Sequence, residues 1–191
     1  MKELILEPTS VAQWHALVTE AEQACACRLD EELESYLVFL LMRFLRQPEL
    51  AGRVMAMEYL EGLNSAGRAQ IDRLREVGDL CLLLSGFFPE QAARRLVRIS
   101  YFVDLGRSSY GVLADRFSHA AAQVYRSLSE GFVTLMDILQ QIRGLAGGEV
   151  LDPLHNQELW SDTGSRRALR ELRRQLGPGA TPLPLGSRRR Q

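Results

Sequence analysis

The chain has little of what marks a secreted, membrane-spanning or catalytic protein. Its three cysteines, Cys25, Cys27 and Cys81, are an odd number, and residues 1–10, MKELILEPTS, break a very short apolar run with glutamates. Neither a disulfide framework nor an export signal is expected, so the sequence predicts a cytoplasmic protein with reduced thiols. Cys25 and Cys27, two apart on a helix, point about 200° away from each other. No second close Cys or His pair completes a metal set, and Cys81, inside LCLLL, reads as core. The longest apolar stretch, Tyr36 to Met42, is followed by Arg43 and falls far short of the roughly 20 residues that cross a bilayer. No alternation of apolar and polar residues suggests a strand, and there is no internal repeat.

Motifs that carry chemistry are missing as well. There is no G-x-x-x-x-G-K-[ST] phosphate loop, no G-x-S-x-G elbow and no dinucleotide fingerprint. Metal catalysis lacks H-E-x-x-H and Glu-x-x-His patterns, and His15, His119 and His155 are scattered along the chain. The expectation is a protein without cofactor or metal, leaning away from an enzyme.

Helical periodicity is what the sequence does contain. Its 191 residues, 46% of them hydrophobic, fit one domain with a proper core. The reading is all-α: a single multi-helix bundle of about six main helices. Ser10 and Gln13 have capping-box spacing, and Val11, Trp14, Leu17, Val18, Ala21 and Ala24 recur up to about Cys27. Asp30 caps a second helix, with Glu31, Glu32 and Glu34 at its positive end and Arg43 and Arg46 near the other. Its Leu33, Tyr36, Leu37, Phe39, Leu40, Leu41 and Phe44 cover most of the circumference, which places it at the centre of the bundle. Pro48 opens a third helix ending near Asn64. A fourth, from about Ser65 to Gly86, shows Ile71, Leu74, Val77, Cys81 and Leu84 on one face and Arg68, Asp72, Arg75, Glu76 and Asp79 elsewhere. Pro89 restarts the chain into a long helix through Leu96, Ile99 and Val103, which Gly106 and Gly111 weaken without ending. The strongest stripe, from Phe117 through Val124, Leu128, Phe132 and Leu135 to Ile142, predicts one long sixth helix. Asp152-Pro153 caps a short segment through Trp160, and Ser165 starts an arginine-rich helix.

Charge divides the chain unevenly. Residues 161–191 hold eight arginines against Asp162 and Glu171, which leaves that end at about +6 and the preceding body at about −7. The expected organisation is a bundle over 1–160, an arginine-rich helix over 161–176 and a disordered basic tail over 177–191, whose GPGATPLPLGSRRRQ has almost nothing to bury. Arg166, Arg167, Arg170, Arg173 and Arg174 have helical spacing and are candidate anion contacts, toward nucleic acid or an anionic membrane. No helix-turn-helix, zinc finger or aromatic RNA-binding motif accompanies them, so a solvated face opposite the acidic body is the plainer reading.

Two further places are candidates. Asp104 lies three before Arg107 and four before Ser108, and Tyr101 three before Asp104, so these can share one side of a helix; with His119 they form a candidate ligand or partner set, its ion pair expected partly buried. The alternative is an ordinary ion pair beside glycines and serines that let another helix approach. Phe87 and Phe88, adjacent in a turn, are either a partner anchor or a staple packed onto their own helices. The string GFFPE, followed by YFVDLGRSSYG, resembles an uncharacterised bacterial all-helical family; the resemblance covers the middle third and implies no activity. The leading expectation is a non-enzymatic helical protein-interaction or regulatory adaptor protein, paired with itself or another protein. The alternatives are a small-molecule sensor or enzyme with a pocket near Tyr101–Tyr110, and nucleic-acid binding through the arginine-rich end.

Overall fold

The computed structural model describes residues 10–46, 55–94 and 97–177. Among these there are ten helices and no strand: α1 Ser10–Cys25, α2 Glu31–Arg46, α3 Met55–Asn64, α4 Gly67–Gly86, α5 Pro89–Arg94, α6 Ile99–Arg116, α7 His119–Glu130, α8 Phe132–Leu145, α9 Pro153–Thr163 and α10 Arg166–Leu176. No described helix is long and apolar enough to cross a membrane. The Ser10 side chain, the Pro48 start and the tail beyond Gly177 lie outside the described residues.

Local capping chemistry sets several boundaries. The Asp30 carboxylate accepts the Leu33 N–H at 2.8 Å and opens α2. Asp152 accepts the His155 N–H at 3.0 Å, with Pro153 in the first turn where no N–H is needed. Ser165 Oγ accepts the Ala168 N–H at 3.0 Å and opens α10.

Two expectations about helix continuity need correction. The segment after Pro89 is not one helix, because Arg98 is extended (φ −65°, ψ 145°) and α6 begins behind it. The long sixth helix is two. Phe117 takes extended backbone (φ −93°, ψ 170°) and turns its ring onto Tyr125, stacked at 5.4 Å, before α7 starts. Gly131 then kinks the chain between α7 and α8, although its N–H still bonds Ser127 and its carbonyl Leu135, so the apolar stripe runs on across the break.

The centre of the bundle is α4, not α2. Every residue from Val77 to Gly86 is buried, and α4 packs against α3, α5, α6 and α8. On α2, Leu37, Val38 and Leu41 face inward while Phe39 is 62% exposed. Two glycines set the closest helix approaches. A Cβ on Gly106 would stand 2.4 Å from the Phe132 ring, and one on Gly78 would stand 2.5 Å from the Tyr110 ring. The missing side chains let α6 meet α8 and α4 almost backbone to ring.

Candidate functional site

Burying a complete helical turn leaves no room for a polar face, and α4 carries Asp79 inside such a turn. A carboxylate there is stable only if its lone pairs are filled. Tyr36 of α2 donates its hydroxyl to Oδ1 at 2.5 Å, and Tyr110 of α6 donates to the same oxygen at 2.8 Å. Arg43 of α2 donates to Oδ2 at 3.0 Å, and Arg75, one turn before Asp79 on α4, stands 3.8 Å from it. Three helices are thus tied to one side chain.

The surroundings hold these groups in place. Tyr110 is fully buried, meets Tyr36 edge-on at 6.2 Å and also touches the Tyr125 and Phe132 rings. The Arg75 guanidinium lies over the Tyr36 ring at 5.7 Å. Burial raises the Asp79 carboxyl above its ordinary 3.8, outweighing the tyrosine hydrogen bonds and the arginine charges that pull it down. Both phenols sit well above their ordinary 10.0, first from burial and then from the Asp79 charge. Tyrosines held this firmly protonated donate hydrogen bonds and do not act as bases or nucleophiles. Asp79, sealed and fully partnered, is likewise no general base. The centre can position helices, and it holds two half-exposed guanidinium groups at its rim.

A second buried carboxylate docks α10. Asp137 on α8 accepts the Ser165 hydroxyl at 2.5 Å and the Arg167 N–H at 3.1 Å, while Arg167 donates to Gln140 at 3.0 Å and Gln140 to the Ser85 carbonyl at 2.9 Å. Burial holds the Asp137 carboxyl above its ordinary value as well. No family model, curated protein or solved structure matches the chain.

The anticipated site residues are distributed differently from the expectation. Tyr101, Asp104, Arg107 and Ser108 all lie exposed on α6, so the Asp104–Arg107 pair is not partly buried; Arg107 Nε donates to the Ser129 carbonyl across to α7. His119 is exposed at the start of α7 with a positive φ of 55°. Phe87 and Phe88 are half-buried and cluster with Phe44, at 6.4 and 5.0 Å between ring centres. Of the arginines on α10, Arg167 is buried, Arg170 donates to the Ala24 carbonyl at 3.0 Å, Arg174 stands 3.6 Å from Glu171, and Arg166 and Arg173 are exposed. The helix is therefore not a uniformly solvated face, because its N-terminal turn is spent on Asp137. Cys25 is buried, which pushes its thiol up to about 11, and among the described residues no three His, Cys, Asp or Glu side chains cluster to hold a metal.

Asp79 is the residue that periodicity misplaced, on the polar side of its helix. A signal existed: it is followed by Leu80-Cys81-Leu82-Leu83-Leu84, an apolar run too continuous to leave the preceding turn a wet face. Tyr36 and Tyr110 carried no such signal, since their shared partner is set by helix packing.

Proposed function

We propose that this protein is a non-enzymatic helical interaction module that pairs with a second copy of itself through the outer face of α3. One observation carries the reading: Met57, Leu60 and Leu63, spaced three residues apart, are 58%, 54% and 39% exposed. Three large apolar side chains within an arc of about 120° on one short helix form a stripe of the kind that partner helices cover. Behind it α3 is firmly seated, since a Cβ on Gly62 would already touch Leu74 of α4 at 3.0 Å.

A second copy suits the rim. Glu61, next to Leu60 on α3, pairs with Arg73 of α4, so both signs stand beside the stripe. A two-fold rotation can bring each sign opposite the other, as an isologous contact requires. A stable contact buries about 800 Å² per partner, more than three side chains supply, so the flanks of α4 and α6 take part. Sedimentation equilibrium of the wild type and Leu60→Glu tests this. The wild type should dimerise and the variant sediment as a monomer with unchanged helical circular dichroism, because a charge at the centre of the stripe would be buried unpaired. A monomeric wild type, or a variant that dimerises equally well, refutes the reading.

A further inference from the structure

We propose that Arg43 and Arg75 form a binding site for a small free oxyanion of the phosphate class, on the surface where α2 and α4 close over Asp79. The site is independent of the α3 face. Both guanidinium groups reach the same oxygen, Asp79 Oδ2, at 3.0 and 3.8 Å, while Oδ1 is occupied by the two tyrosine hydroxyls. The carboxyl group brings at most one negative charge against two positive ones, so this cluster of three is net positive. Depth separates the signs. The Asp79 side chain is 4% exposed, whereas those of Arg43 and Arg75 are 40% and 49% exposed, so solvent meets the cations and not the carboxylate.

The arginines are also held ready. Contact with Asp79 uses NH1 of Arg43 and Nε of Arg75, out of five N–H donors on each group. The Arg75 guanidinium lies over the Tyr36 ring at 5.7 Å, and the buried carboxylate sets where both cations converge. Two guanidinium forks that converge on one point can offer paired N–H donors to the oxygens of a phosphate, and their contacts with Asp79 reduce the ordering entropy still to be lost on binding. Asp72, one turn before Arg75 on the same helix, is turned to Arg68 at 3.8 Å. Chloride offers no oxygens to a fork, so the site should distinguish the two anions.

Thermal unfolding in inorganic phosphate, against sodium chloride of equal ionic strength, is the test. At tenfold saturation of the site, linkage gives a rise in midpoint of roughly 3–5 °C over chloride for a protein of this size. Arg43→Gln should lose that rise while leaving Asp79 paired with Arg75, and Arg98→Gln, which removes a cation paired with Asp162 and Glu158 on α9, should keep it. If Arg43→Gln does not fold, Arg43→Lys retains the charge without the fork and should bind phosphate at least tenfold more weakly by calorimetry. No phosphate-specific rise in the wild type overturns the proposal. So does a rise that survives unchanged in the Arg43 variant that folds.

Discussion

Removing one hydroxyl from the Asp79 centre isolates what that centre contributes to the fold. Tyr110→Phe keeps a ring that is fully buried and packed against Tyr36, Tyr125 and Phe132, so the change in volume is a single oxygen. What disappears is the 2.8 Å bond to Asp79 Oδ1. A hydrogen bond to a charged acceptor contributes about 1.5–3 kcal/mol, a large share of the roughly 5–15 kcal/mol that holds a domain together. Tyr36→Phe removes the other donor to the same oxygen, at 2.5 Å. Because one acceptor serves both, the two losses should not add. Once one donor is gone, the buried carboxyl takes up a proton more readily, and the second removal is felt less. Urea denaturation of the two single variants and the double variant, followed by circular dichroism, measures the cycle, with a coupling of about 0.5–3 kcal/mol expected for groups in one network. A loss below about 0.5 kcal/mol for Tyr110→Phe would place it among ordinary surface substitutions and sink the reasoning, as would additivity of the pair.

Two other perturbations test the same packing. Burial raises the Asp79 carboxyl above 3.8, so the folded chain holds that proton more tightly than the unfolded one; the group's contribution is fully present below 3.8 and is lost as pH rises through its higher folded value. The stability gap between wild type and Asp79→Asn should therefore widen on acidification from neutrality toward 3.8, and a gap that narrows would show the opposite linkage. Gly106→Ala and Gly111→Ala should differ in sign. The first pushes a methyl into the buried Phe132 ring at 2.4 Å, whereas the second meets only Ser129 Oγ at 3.8 Å. Overpacking costs about 1–3 kcal/mol and outweighs the gain in helix propensity of about 0.5–1 kcal/mol, so thermal midpoints should fall for the first and rise for the second.

Residues 10–46 and the caps at Asp152 and Ser165 show what the sequence determined by itself. A capping side chain bonds an amide two or three residues away, and an apolar stripe repeats within a turn, so both are local facts that need no knowledge of the rest of the chain. All-helical character follows for the same reason. The long stripe from Phe117 to Ile142 marks the boundary of that power: its periodicity survives the extended Phe117 and the kink at Gly131, so side-chain spacing alone does not reveal that two helices carry it. Tertiary structure decided the rest. Which helix became the centre depended on how many neighbours surround α4 rather than on how apolar α2 is. Asp79 meets Tyr36 and Tyr110 across 43 and 31 residues of chain, and Arg167 reaches Gln140 across 27. Partnerships at that range are chosen by which faces the packed helices bring together, because a buried charge takes whichever donors the completed core places around it.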